Sequence, residues 1–282
     1  MTEPAPGAGE AVDPNVCYRH PGRRSFVLCQ RCGRTVCGEC QTPAAVGVQC
    51  PECIAQAVSA LPKQKPAIVH AFRRGGATPV VTYTILAITL GVFVLQLVTG
   101  SAVTRALGYA PPLTPIEPWR MLTVALVHSP SSFFHILFNM YALFVLGPLL
   151  EQLVGRARFL VVYVVSTFAG SVAVLWLAPL TFVVGASGAI FGLFGAFFVI
   201  QRRLGGNTVQ LMVILGINLA LGFVVPGISW QAHVGGLLGG AVVALIMVRT
   251  RRRDQQVLQG VLIAVFGALL VAGTVLRFSG LG

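Results

Sequence analysis

From residue 80 onward the chain alternates between apolar stretches of roughly 16–20 residues and short polar or basic turns, the pattern of helices that cross a bilayer. Seven candidate spans result, at about 80–98, 133–150, 159–178, 187–200, 208–225, 233–248 and 257–276. The first begins too late for a cleaved signal peptide and is expected to stay as an anchor. Upstream the pattern changes. Residues 1–16 are polar and rich in Pro and Gly, hence expected to be disordered. Residues 54–79 read as a short basic linker carrying Lys63, Lys65, Arg73 and Arg74.

The fourth span opens with Gly185-Ala186-Ser187-Gly188, apolar apart from one hydroxyl. Gly188, Gly192 and Ala196 recur at every fourth position and form, on a helix, a smooth stripe that admits a neighbouring backbone. Ala232, Gly236 and Gly240 make a second such stripe on span six, placed to meet the first. Ser187 falls at a helix start, where unpaired backbone N–H groups and the positive dipole end gather. Taken alone, this is equally well a packing helix with an incidental serine.

Composition excludes an ordinary soluble domain: 55% of residues are hydrophobic and only 10% charged. A formal charge of +12 would suit a nucleic-acid binder, but the basic residues cluster between apolar runs, so membrane topology explains them and no nucleic-acid partner is expected. Seventeen of the 20 Lys and Arg residues fall on one side of the seven spans; the other side holds Arg105, Arg120 and Arg277. The positive-inside rule then predicts a multi-pass protein of the plasma membrane with a cytoplasmic N-terminus and an external C-terminus.

All 7 cysteines lie within residues 17–53. They form Cys17-x2-His20, Cys29-x2-Cys32, Cys37-x2-Cys40 and Cys50-x2-Cys53, which is eight ligands for two tetrahedral Zn²⁺ sites and leaves no cysteine over. The segment resembles the B-box and related zinc fingers. Pairing of the first pair with the third and the second with the fourth is preferred, and sequential pairing stays open. With so few core residues, metal should supply most of the folding energy, and closed coordination makes the two zincs structural. A reducing cytoplasm suits unoxidised ligands.

No Asp or Glu lies within a span, which disfavours an aspartyl intramembrane protease; no His-Glu-x-x-His motif exists, which disfavours a membrane zinc protease. The spans instead contain His135, Asn139, Ser187 and His233, and ionisable groups at such positions default to function. With the expected topology, His135, Ser187 and His233 fall near the outer ends of spans two, four and six, at similar depth. His135 and Asn139 are spaced i, i+4 and share a helix face. A serine beside a histidine with polar donors nearby supplies a nucleophile, a base and an oxyanion hole.

Those residues resemble a rhomboid intramembrane serine protease over roughly residues 80–250. The motifs follow in order: Trp119-Arg120; His135-Ile-Leu-Phe-Asn139; Gly147-Pro-Leu-Leu-Glu151-Gln-Leu-Val-Gly155; Gly185-Ala-Ser187-Gly188; and Ala232-His233-Val-Gly-Gly236. The resemblance implies a Ser187–His233 dyad without a third acidic residue. It implies an oxyanion site made by Asn139, His135 and the Ser187 backbone N–H, and an aromatic ring, Phe191, stacked on the catalytic histidine. Span five and the turn Pro226–Trp230 correspond to the family's gate. His128 resembles a further loop histidine of bacterial members, at a longer spacing to His135. Glu151 and Trp119-Arg120 are expected to be structural.

The expected fold is therefore an all-α polytopic membrane protein: a rhomboid-like six-helix core plus one C-terminal helix (residues 80–278), preceded by a zinc-binding domain (17–53). The expected activity is hydrolysis of a peptide bond in or near a transmembrane helix of other membrane proteins within the lipid bilayer. No cofactor is expected for catalysis, and the zinc domain is left to meet a cytoplasmic protein partner. Two rivals are a non-catalytic rhomboid-like membrane chaperone and a zinc-finger membrane adaptor.

Overall fold

The computed structural model describes residues 13–60, 78–225 and 227–279. The chain divides into two compact units, Met1–Lys65 and Pro66–Gly282. Most of the tail expected over 1–16, and most of the linker expected over 54–79, lie outside the described residues.

The first unit is small and built around its cysteines. Strand β1 (Val16–Cys17) pairs antiparallel with β2 (His20–Arg24), and β3 (Thr42–Pro43) with β4 (Val48–Gln49). Helix α1 (Pro51–Ala60) follows and takes in residues 54–60, so the linker begins later than its expected start at 54. Pro51 at its first position and Glu52 in its first turn are favourable there, because the N–H groups are unpaired and the dipole end is positive. Among the described residues, the buried core of this unit is Cys17, Cys29, Val36, Cys37, Cys40, Cys50 and Cys53. One valine and six thiols cannot hold a fold by burial alone.

The second unit is a helix bundle. Its helices are α2 (Val80–Thr99), α3 (Ser101–Leu107), α4 (Arg120–Thr123), α5 (Phe133–Val154), α6 (Arg156–Leu177), α7 (Ser187–Arg203), α8 (Val209–Val224), α9 (Trp230–Arg249) and α10 (Gln256–Leu276). Seven of them fall on the seven expected spans. Five are long and apolar enough to cross a bilayer: α2, α5, α6, α9 and the stretch Arg253–Leu276 that contains α10. The other two are shorter, α7 at 17 residues and α8 at 16. The chain is a multi-pass membrane protein.

Helix α7 is the buried centre of this bundle, with Gly188 through Leu193, Gly195, Ala196 and Ile200 all enclosed. At 1.5 Å per residue its 17 residues reach about 25 Å, short of a ~30 Å hydrocarbon core. It runs parallel to α9 with the two backbones in contact: a Cβ at Gly236 would overlap the Gly188 carbonyl, and one at Gly240 the Gly192 carbonyl. The two small-residue stripes therefore meet. Helix α6 packs antiparallel on α9, Gly170 against the Ala232 carbonyl and Gly235 against Ala169 and Ala173. In lipid, where apolar burial gives no drive for helices to associate, such close approach is what holds them.

Three polar devices fix the rest of the bundle. The buried Glu151 carboxylate, near the end of α5, accepts from the Val81 and Thr82 N–H groups (3.0 and 2.8 Å) and from the Thr82 hydroxyl (2.7 Å), capping the start of α2. Residues 100–132 fold into a compact segment pinned by buried Arg120, which bonds the Glu117 carboxylate and the carbonyls of Arg105 and Gly108. Trp119 beside it is 51% exposed. Glu151 and Arg120 are structural anchors. At the other end of the chain, buried Gln259 of α10 accepts from Arg158 (2.9 Å) and donates to the Thr250 hydroxyl (2.9 Å), while Trp176 donates to the Gly273 carbonyl (3.1 Å). The seventh helix is thereby clipped to α6 at two points.

Candidate active site

The helix starts of α5, α7 and α9 lie at one end of the bundle and bring four predicted residues into one neighbourhood. Ser187 is the first residue of α7. The stretch before it is held by an antiparallel bridge, Tyr109 with Val183 (2.9 Å in both directions), and by Gly185 N–H donating to the Val124 carbonyl (3.1 Å). Gly185 has φ +125°, a conformation open to glycine, and a Cβ there would lie 2.7 Å from His135 Nε2 and 3.8 Å from Ser187 Oγ. The imidazole and the hydroxyl thus flank one point that only glycine leaves free.

His233, in the first turn of α9, is buried. Its ring stacks on Phe191, centroids 4.1 Å apart and planes within 10°. Phe191 lies one turn beyond Ser187 on the same helix, so this stack sets the imidazole against the face that carries the hydroxyl. His233 Nδ1 is buried without a partner. Among the described residues no hydrogen bond joins Ser187 to His233. Bonds of this kind are commonly loose in a free enzyme and tighten around substrate.

Asn139 and His135 share a face of α5, as the i, i+4 spacing predicts. The Asn139 amide donates to the His135 carbonyl (2.7 Å), which uses one of its two N–H groups. His135 Nδ1 accepts weakly from Ser129 N–H (3.5 Å).

Sequence reasoning singled out His128 by resemblance but did not reach its contacts or the role of Gln96 behind these groups. His128 is fully buried, and its ring lies 5.2 Å from that of His135. Its Nε2 accepts from the N–H of Ala186, the residue before Ser187, at 3.4 Å. Gln96, buried in α2, grips the His128 backbone both ways, donating to its carbonyl (2.8 Å) and accepting from its N–H (3.0 Å). A glutamine inside an apolar span was the available signal.

Beside Ser187 lies a recess of about 20 Å³, lined by Tyr109, Thr167, Gly170, Ser171, Ser187 and Ala232 among others. That is room for about one water. The arrangement offers a hydroxyl at a helix start, a buried imidazole, polar donors and a niche of water size, which together suit acyl transfer.

The first unit carries a separate constellation. Cys17, His20, Cys37 and Cys40 present ligand atoms within 4.8 Å of one another, and so do Cys29, Cys32, Cys50 and Cys53. First pair joins third and second joins fourth, and both clusters are able to hold a metal ion. Burial opposes ionisation of Cys17 and Cys29, yet backbone N–H donors around each outweigh it and bring both thiols down to about 6. Burial instead pushes Cys40 up to about 11 and Cys53 up to about 12. Each cluster therefore has a ready thiolate and a partner thiol that a metal would have to deprotonate. Arg34 braces the second cluster, its Nε 3.3 Å from Cys32 Sγ and its guanidinium over the Tyr18 ring.

Comparison with known proteins places these features. The family model described as the Rhomboid domain matches residues 115–250. The chain is 38% identical over 143 residues to the putative rhomboid protease YdcA of Bacillus subtilis (strain 168), a match covering 49% of this chain and 71% of that protein. It is 36% identical over 154 residues to the rhomboid protease GluP of the same organism, covering 52% of this chain and 30% of GluP. RHOMBOID-like protein 7 of Arabidopsis thaliana matches at 34% over 139 residues, 47% of this chain and 44% of that protein. The match thus spans less than half of the latter two relatives. At 38% identity over 71% of YdcA, and with a bundle whose motifs stand in order, the chain belongs to the rhomboid family.

Proposed function

We propose that the chain is an intramembrane serine endopeptidase acting on transmembrane segments of other proteins. The observation that carries this reading is the α7–α9 contact: backbone-to-backbone packing and the Phe191–His233 stack hold a lone imidazole on the face of the helix that begins with Ser187. Relatives named as rhomboid proteases support it.

In this reading Ser187 Oγ attacks the scissile carbonyl carbon while its proton passes to His233. The oxyanion that forms is met by the Ser187 backbone N–H, the free Asn139 N–H and the His135 imidazole. His233 then returns the proton to the departing amine, leaving an ester on Ser187. A water from the niche beside Ser187 attacks the ester, giving its proton to His233, and the hydroxyl is restored. Glu151 is committed to capping α2, so the pair works as a dyad.

Access is through α8. Among the described residues, only Leu215 and Gly222 of that helix are buried, so it is held loosely in the bundle. Phe223 and Trp230, stacked at 4.8 Å, connect its end to the start of α9; Pro226 lies outside the described residues. A substrate helix would enter past α8 and unwind near a small residue, since helical peptide bonds are otherwise hydrogen-bonded.

The charge pattern puts the first unit in the cytoplasm and the active-site end outside. Cys17, His20, Cys37 and Cys40 hold one Zn²⁺, and Cys29, Cys32, Cys50 and Cys53 a second, both structural because no ligand position stays open. Cleavage of a model transmembrane substrate by purified protein tests the activity. Ser187→Ala and His233→Ala should each abolish it with thermal stability retained. Turnover by purified Ser187→Ala would overturn the dyad.

A further inference from the structure

The first unit carries an exposed apolar tip that no fold requirement explains. Phe26 is 80% exposed, Leu28 49% and Val27 39%, three consecutive residues turned to solvent. The tip is not a loose loop. Val36 N–H donates to the Val27 carbonyl (2.9 Å), the Ser25 hydroxyl donates to the Val36 carbonyl (2.8 Å) and accepts from Val27 N–H (3.2 Å), and Leu28 bridges to Thr35. Cys29, a metal-cluster residue, follows at once, so metal binding would fix the base of the tip. Scattered exposed apolar residues need no explanation, but a rigid contiguous group does.

Basic residues surround it in sequence. Arg24 and Arg31 are exposed on either side, and residues 13–79 hold nine Lys and Arg against Asp13, Glu39 and Glu52. With a divalent metal bound, the cluster of three thiolates and one imidazole would add about one negative charge and the four-thiolate cluster about two, and the stretch would still be positive. Only 19 residues separate Ala60, the end of α1, from Val80, the start of the first membrane helix. The unit is therefore confined near a bilayer surface whatever its orientation. An exposed aromatic and two aliphatic side chains flanked by arginine are the elements that partition into an anionic lipid interface, the apolar groups at the acyl boundary and the cations among headgroups.

We propose that Phe26, Val27 and Leu28 insert into the anionic lipid surface beside the protein's own membrane helices, docking the metal-binding unit on the bilayer. The partner is the headgroup layer of acidic phospholipid, recognised by charge and by apolar insertion. The proposal does not depend on the peptidase reading.

Hydrogen exchange of the full chain, followed by mass spectrometry, tests it in nanodiscs of phosphatidylcholine alone, in nanodiscs with roughly a third phosphatidylglycerol, and in neutral detergent. The amides of residues 24–31 should exchange about tenfold more slowly with phosphatidylglycerol than in the other two. That protection should weaken in high salt, because exposed charges are screened. It should vanish in Phe26→Ser with metal content unchanged; if that variant loses metal, Val27→Ser takes its place. Equal exchange in all three environments would overturn the proposal. So would equal protection in detergent and in anionic nanodiscs, which would mean that protein and not lipid covers the tip.

Discussion

Gly240→Ala probes the contact on which the active-site reading rests. The new methyl would meet the Gly192 carbonyl and Cα, which are backbone atoms of a helix enclosed on nearly every side. A side chain could rotate away; this backbone cannot move without displacing α7. Overpacking of that kind costs about 1–3 kcal/mol. Replacing a helical glycine gains back about 0.5–1 kcal/mol. A net loss near the upper end, about 2 kcal/mol, corresponds for a unit of about 200 residues to a melting temperature lower by roughly 4–8 °C. Gly267→Ala on α10 is the control, since a Cβ there meets nothing within 4 Å, and it should leave the melting temperature unchanged or slightly raised. Thermal unfolding of both variants in detergent gives the comparison. Gly236→Ala, one turn from His233, should lose cleavage rate beyond its loss of stability, because separation of the helices there moves imidazole from hydroxyl. Equal melting shifts for Gly240→Ala and Gly267→Ala would refute the close-contact argument.

Other outcomes follow from the same geometry. Asn139→Ala should lower kcat by on the order of 10²-fold, the cost of about one preorganised oxyanion donor, with His135→Ala equal or smaller; wild-type rates in both and in the double variant would remove them from the site. Glu151→Ala leaves three donors at the start of α2 without their carboxylate, so the melting temperature should fall by about 10 °C, with Glu151→Gln intermediate. Elemental analysis should find two zincs per chain, with the local fold lost in Cys29→Ser or Cys37→Ser. A chain beginning near residue 66 should still cleave a model substrate in detergent; complete inactivity of that folded chain would show the metal unit to be coupled to catalysis.

Much of this was legible because bilayer length, small-residue stripes and metal spacing are one-dimensional signals. Gly188 and Gly192 announced a close neighbour, and Gly236 and Gly240 announced which one. Four Cys/His pairs announced two clusters and favoured the interleaved pairing that is found, while sequential pairing stayed open, since the choice depends on how β1–β2 and β3–β4 fold back. What stayed hidden depends on partners far apart in sequence. Gln96 and His128 are 32 residues apart, Arg158 and Gln259 are 101 apart, and neither member of either pair implies the other. Residues 54–60 looked like linker because they follow the last metal ligand; Pro51 and the buried Cys53 start a helix that runs on through them. Helix α7 runs three residues past its expected end at 200, because hydropathy marks an apolar run without fixing where its helix ends, whereas α8 keeps within one residue of the expected 208–225.

The central claim is that Ser187 is a nucleophile made reactive by His233. Incubation of the purified protein with a fluorophosphonate, followed by peptide mass spectrometry, tests it directly, since the reagent bonds only to an activated hydroxyl. A single adduct on Ser187, absent in His233→Ala and in Ser187→Ala, is the expected result. An unlabelled wild-type protein with its bundle intact, or labelling of Ser187 undiminished in His233→Ala, would contradict it.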